Sequence, residues 1–488
     1  MSQADATRHA NDADLPAHAD LPAHEDLPAH ADDAATLEPR GVRPPLVDIA
    51  DRRGQDELLQ IRNDLMTVYR PVSADDPRLF PLRYARAGAG RDGRRSGLPP
   101  IVILPDGPEL ASVLPYDVLR RMMTMRGLDV IMVEHRGVGL SRLDAEGRDL
   151  TADAMRLAEV VGDVLAVLDR SGVERAVLYG VGYGAALAQI LAAEHPERVH
   201  SLVLDSPLTS ADDEAVGQRR FRELYWEGAD PQTASIASVL RGLVEDGVLD
   251  GPSAGPVLAA VHEYGGPDAV GDLVDLLAQG RGALTWRSIR EVLTREWLQS
   301  TPYVFENDLV ARIARTELGM GSHADGGDLD PLALLAEQVA DAAPSAGEPF
   351  DLHALSRRIT APTLVLAGAE DLVSPPEIAR DLAGRIPGAH LLELPGLGHS
   401  ILDAHPNVAI VAAWWSAAGC ADQLAGRERE LAAIPRASLN RALGHTLRIA
   451  LLAERISPWK LRLESARMRR EGAGENATGR RARRASAL

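Results

Sequence analysis

The chain has 488 residues with 52 basic and 71 acidic side chains, a formal net charge of −19, and 45% hydrophobic residues. That is room for several domains or one elaborated one at roughly 100–200 residues each, and no apolar run reaches the ~18 residues that span a bilayer. One cysteine, Cys420, excludes an intramolecular disulfide and a cysteine zinc cluster, and the polar N-terminus lacks the order of a signal peptide, so the cytoplasm is the expected location.

The charge is uneven: residues 1–40 carry a net −7, residues 421–488 a net +8, and the middle −20. A surface this acidic repels nucleic acid, so no such partner is expected. Lys460 is the only lysine, a bias that resembles a GC-rich genome, and the arginine excess is therefore not evidence of phosphate recognition.

In chain order, residues 1–45 form an acidic leader expected to be disordered. It repeats DLPAHA, DLPAHE, DLPAHA from Asp14, Asp20 and Asp26, and a proline every six residues interrupts helix and strand alike. Holding a metal with His18, His24 and His30 would require ordering the repeat against its entropy. No metal or cofactor is expected.

Strand signals begin at Leu79. LFPLRYARAG, IVIL after Pro100, VIMV at Val130, AVLYG at Ala176 and SLVLD at Ser201 are short apolar runs. A helical pattern over Thr151 to Ser171 and a helix from Ala185 to His195 lie between them. The pattern resumes with PTLVLAG and AHLLEL. Continuous apolar strands alternating with helices predict a mostly parallel sheet with helices on both faces. Helical spacing dominates from 207 to 355 instead, over 236–244, 257–262, 269–277, 286–297, 308–318 and 332–342. That segment is a helical cap inserted after the sixth strand.

VEHRGVGLSR (Val133 to Arg142), YGVGYGAALAQILAAEHPERVHSLVLDSP (Tyr179 to Pro207) and PTLVLAGAEDLVSPPEIA with LPGLGHS carry a resemblance. The chain resembles α/β-hydrolases with a helical cap, of the proline iminopeptidase and tripeptidyl aminopeptidase-like group, over roughly 79–206 and 356–415. The resemblance implies core segments 46–206 and 356–420 around a cap at 207–355. It places the acid at Asp371 and the histidine at His399, with oxyanion-hole donors at the N–H groups of Gly107 and Tyr183.

Serine hydrolysis needs a hydroxyl deprotonated by an imidazole that a carboxylate orients, on a strained G-x-S-x-G turn. Here the turn reads Gly180-Val181-Gly182-Tyr183-Gly184, and the nucleophile position is Gly182. An aspartate nucleophile at the elbow is excluded by the same glycine. The family's H-G-G-P-G segment is replaced by Pro105-Asp106-Gly107-Pro108-Glu109, whose carboxylates disfavour an oxyanion if they face it. Gly251-Pro252-Ser253-Ala254-Gly255 spells the motif, but a helix and a turn precede it, and Ser253 is expected to cap the next helix. Ser206, in the rim, is the other candidate hydroxyl.

These features predict a catalytically impaired homologue that keeps a pocket for a small molecule or short peptide. One alternative is a hydrolase in which His399 and Asp371 activate a water in the space Gly182 leaves. The other is an interaction protein, in which the cavity would be filled. Residues 421–470 read as a basic helical extension: Leu439, Leu443, Leu447, Ala450 and Leu451 form a stripe expected to pack on the protein's own core, with peripheral membrane contact as the alternative. A second basic helix (Trp459 to Arg470) follows, and residues 471–488 read as a disordered basic tail.

Overall fold

The structure, a computed structural model, describes residues 64–88, 97–345, 347–436 and 438–456. The hexad repeat with its histidines, the second basic helix and the tail lie outside the described residues.

Eight strands form one sheet: β1 (Leu65–Ser73), β2 (Asp76–Ala87), β3 (Ile101–Leu104), β4 (Val130–Val133), β5 (Ala176–Val181), β6 (Val199–Asp205), β7 (Thr363–Gly368) and β8 (His390–Leu394). Their order is β1-β2-β4-β3-β5-β6-β7-β8. β1 pairs antiparallel with β2, and β2 with β4; every other pairing is parallel. β3, β4, β5 and β7 are buried at every position, as their unbroken apolar runs require of strands covered on both faces.

Because side chains alternate across a strand, neighbours feed different cores. Leu178, Leu202 and Leu204 pack with the helices Leu157–Arg170 and Tyr183–Glu194 on one face. Val177, Val203 and Leu364 pack with the helix Pro406–Ala417 on the other. β1 escaped the sequence reading because it is an edge strand with half-exposed residues, and Pro71 lies at an irregularity in its register.

Between β6 and β7 the chain is helical: Asp213–Arg222, Ala234–Glu245, Gly251–Ala278, Ala283–Leu298 and Ala333–Gln338. These helices have their own core around Phe221, Tyr225, Leu240, Leu258 and Leu273. The two helices expected at 257–262 and 269–277 lie on either side of Gly266, whose φ of 72° and ψ of −178° break the helical path ahead of Pro267. The expected helix over 308–318 is shorter, running over 311–317 and ending in the wider turn Ile313–Glu317.

The C-terminal helix Leu439–Ile456 packs on Gly251–Ala278 rather than on the central sheet. Gly444 permits the approach, since a Cβ there would overlap the Tyr264 carbonyl oxygen. Leu451 is buried and Leu447 partly so, but Leu439 and Leu443 are exposed, so the expected stripe divides between contact and solvent. Among the described residues no helix is long and apolar enough to cross a membrane.

Candidate active site

Loops after β3, β5, β7 and β8 converge at the C-terminal ends of the parallel strands, where open α/β sheets place their sites. β5 ends at Val181, Gly182 turns with φ 47° and ψ −110°, and the helix starts at Tyr183. This backbone is one that side chains with a Cβ adopt only under strain.

After β7, Asp371 is held by the N–H groups of Val373 (2.9 Å) and Ser374 (2.8 Å), both donating to Oδ1. Its Oδ2 lies 3.0 Å from His399 Nδ1, in the loop after β8. Three further groups anchor the histidine loop. Asp205, at the end of β6, accepts the N–H of Ile401 (3.0 Å) and of Leu402 (2.8 Å), together with the Tyr179 hydroxyl (2.8 Å). Glu263, from the inserted helices, accepts the backbone N–H of His399 at 3.1 Å. Ser206 Oγ accepts the N–H of Ser400 at 3.0 Å.

The fourth loop decides the chemistry. Asp106 Oδ1 accepts N–H groups from both Gly107 and Tyr183 at 2.9 Å, so the two expected oxyanion-hole donors meet on one oxygen, and that oxygen belongs to the protein. Asp106 Oδ2 lies 3.0 Å from His399 Nε2. A Cβ built on Gly182 would overlap Oδ1 and lie 2.6 Å from Cγ. The space Gly182 leaves is therefore filled by a carboxylate, which corrects the expectation of an activated water there.

The electrostatics follow. Burial opposes a charge on His399, but Asp371 and then Asp106 outweigh it and hold the imidazole well above its ordinary value. Burial also pushes Asp106 up, yet the His399 hydrogen bond and charge and the two N–H donors leave it below the usual carboxylate value. His399 is thus an imidazolium donating from both nitrogens to two carboxylates. Burial, then the Asp106 charge, pushes Glu109 to about 7. Burial, then the Asp371 charge, pushes Glu263 to about 7.

Asp106 and His399 open on a cavity of about 650 Å³ walled by Leu110, Tyr116, Leu119, Met122 and Val373, with Glu263 also in its lining. Among the described residues no group of three or more His, Cys, Asp or Glu is placed to hold a metal ion.

The other serine candidates are elsewhere. Ser206 is buried, and its hydroxyl faces Ser400 and Asp205 rather than His399. Ser253 is exposed in the first turn of Gly251–Ala278, where Asp250 is the cap and accepts the Ser253 N–H. Sequence reasoning missed the anchoring by Asp205 and Glu263; the only signal was an acidic residue closing an apolar strand. Glu134, in the resembling VEHRGVG segment, is buried and receives N–H groups of Ser112 (2.7 Å) and Val113 (2.9 Å), which pins the loop after β3.

Comparison with known proteins bears on the fold. The alpha/beta hydrolase fold family matches residues 99–235. The chain has the α/β-hydrolase fold. It is 28% identical over 304 residues to rhodomycin D methylesterase DauP of Streptomyces sp. (strain C5), covering 62% of this chain and 85% of that protein. It is 36% identical over 129 residues to epoxide hydrolase B of Mycobacterium tuberculosis (strain ATCC 25618 / H37Rv), covering 25% and 34% respectively. Among solved structures it resembles proline iminopeptidase from Mycobacterium smegmatis, with 15% identity, a TM-score of 0.43, and coverage of 72% of this chain and 99% of that one.

Proposed function

We propose that this α/β-hydrolase homologue has no serine chemistry and keeps a pocket for a small organic molecule or short peptide over the His399–Asp371 pair, with the helices of 207–355 acting as its cap. The observation that carries the reading is the occupancy of the elbow: Gly182 has no hydroxyl to offer, and the Asp106 carboxylate fills its space. An acyl group could not use the oxyanion hole either, because both donors are engaged by Asp106. The open cavity of about 650 Å³ favours a bound ligand over a filled interaction platform. The methylesterase likeness supports a small-molecule ligand rather than a macromolecule.

The test is activity-based labelling. The intact protein should show no adduct with a fluorophosphonate probe and no burst with p-nitrophenyl acetate, since both need an activated serine oxygen. Stoichiometric labelling mapped to Ser206, Ser253 or any other serine would overturn the proposal.

A further inference from the structure

The C-terminal helix Leu439–Ile456 inverts the pattern of a surface helix, whose apolar stripe normally faces the core and whose polar side faces water. Its inner side packs on Gly251–Ala278 through Gly444, Leu447 and Leu451, and its only acid, Glu454, is buried and accepts the N–H of Thr285. At about 100° per residue, the side turned away carries Ala442, Ile449, Leu452, Ala453 and Ile456, with His445 and Thr446 between them. Ile449, Leu452 and Ile456 are 67%, 55% and 74% exposed. At one edge Leu439, also exposed, carries this apolar surface to the mouth of the cavity, where exposed Tyr264 and Val373 continue it.

Arginines border that side. Arg441, Arg448 and Arg455 recur every seven residues and so form a row along one flank. Arg455 pairs with Asp272 at 2.5 Å. Arg441 and Arg448 donate to the backbone carbonyls of Arg436 (2.9 Å) and Gly265 (3.4 Å), and among the described residues neither has a carboxylate at ion-pair distance. Glu370 and Asp268 line the groove beside them without pairing with either. Burial, then the Arg441 charge, pulls Arg436 below its ordinary value against a smaller opposing effect of Glu370, so cations outweigh acids at this edge.

The geometry points to a lipid bilayer bearing anionic headgroups as the partner of this face: the helix lies in the interface, its apolar side at the acyl boundary and its arginine row among the headgroup phosphates. Charge selects this occupant. Residues 421–488 carry a net +8 on a chain of −19, so an anionic surface draws this end inward and holds the acidic remainder off, which orients the molecule before contact. A second copy meets the opposite situation. Glu454 is buried, so a like helix face has no carboxylate to offer the row and would bring only apolar groups and further guanidinium charge. The helix docks rather than spans, since no described helix is long and apolar enough to cross. Long arginine side chains keep their charge at headgroup level while their stems lie along the apolar side.

The experiment sediments the full chain with vesicles of phosphatidylcholine alone or with about 30% phosphatidylglycerol, in about 0.1 M salt, where screening acts over about 10 Å. The protein should partition onto the anionic vesicles, and less as salt is raised. Changing Ile449→Asn and Leu452→Asn together adds no charge and should weaken partitioning by about tenfold or more. Changing Arg441→Gln and Arg448→Gln should weaken it about fivefold for each arginine. All four side chains are exposed, so urea midpoints should not move, and the arginine pair tests the face even if the asparagine pair misfolds. Absence of binding to the anionic vesicles overturns the proposal, as does binding that the asparagine pair leaves intact. Displacement from vesicles by millimolar glycerol 1-phosphate would make a free anion the ligand, and a dimer in sedimentation velocity that the asparagine pair abolishes would make it a second copy; either overturns the bilayer. None of these results bears on the proposed function, which fluorophosphonate labelling decides.

Discussion

Restoring a serine at the elbow tests whether Asp106 occupies the nucleophile's space. In Gly182→Ser the new Cβ would overlap Asp106 Oδ1 and lie 2.6 Å from Cγ and 3.0 Å from Oδ2, so the carboxylate must swing out. That movement surrenders the N–H groups of Gly107 and Tyr183 and the contact with His399. Buried donors left unpaired cost about 1–3 kcal/mol, and the positive φ of Gly182 adds about 1–3 kcal/mol of backbone strain once a Cβ is present. The single variant should therefore lose about 2–6 kcal/mol and remain unlabelled by fluorophosphonate. Gly182→Ser with Asp106→Gly removes the overlap and keeps only the strain. The double variant should be more stable than the sum of its single changes by at least about 1 kcal/mol, a coupling expected for residues in contact. It should also take the probe, weakly unless Glu109→Gly is added, because that partly buried acid is close enough to Asp106 for the two charges to interact. Urea denaturation and probe labelling of the four proteins in the cycle decide the matter. If Gly182→Ser alone is as stable as the unaltered chain and labels as fast as the double variant, Asp106 does not hold that space.

Three further outcomes follow from other parts of the site and its supports. Glu263 is pushed to about 7, so the folded state binds a proton that the unfolded state releases near pH 4.5; its contribution to stability falls as pH rises from about 4.5 through 7, and Glu263→Gln should flatten that fall in urea midpoints between pH 5 and 8. Asp205→Ala should cost about 3 kcal/mol or more by orphaning the N–H groups of Ile401 and Leu402 and the Tyr179 hydroxyl, and amide exchange in the 399–404 loop should accelerate; unchanged exchange would remove Asp205 from the anchoring of His399. Gly444→Val should drive the C-terminal helix away from the Tyr264 carbonyl, raising exchange over 439–456 while leaving β5 and β7 unaffected.

The sheet was largely legible in the sequence because its inner strands are unbroken apolar runs, and the elbow because its three glycines sit at fixed spacing. β1 was not, since half of an edge strand faces solvent and its pattern is diluted. The site was legible in part. Asp371 and His399 each follow a strand closely, so local signals place them, and the structure brings them together across 28 residues. Asp106 was visible as a departure, but its partners Tyr183 and His399 lie 77 and 293 residues away, and nothing local says that its carboxylate would turn into the hole. The same distance hid Asp205, whose partners lie 196 and 197 residues on. Ser253 shows the converse: it has the letters of the motif and none of its setting.

Gly182 and Asp106 are intelligible only together. With a serine at 182, the carboxylate could not lie where it does; with glycine at 182 and a small apolar residue at 106, the N–H groups of Gly107 and Tyr183 and the Nε2 of His399 would lose the partner that Asp106 supplies. Asp106→Ala in the otherwise unaltered chain isolates this second case. The cavity admits water, so the donors can be partly re-satisfied and the cost should fall at the lower end of about 1–3 kcal/mol. The larger effect is on His399, which keeps Asp371 but loses the carboxylate at Nε2, so its pKa must fall from well above 6.5 toward that value. The sign is fixed: a raised histidine stabilises fully below about 6.5, and that stabilisation is lost as pH rises through the folded value. The variant should therefore lose the most stability relative to the unaltered chain at about pH 5 to 6.5, with the difference shrinking as pH rises through the raised value. Nitrogen chemical shifts of the His399 ring, followed against pH in both proteins, give the pKa directly. If the titration does not move, the 3.0 Å contact between Asp106 and His399 is not what keeps the ring charged, and the argument for a carboxylate and an imidazolium acting as one unit fails.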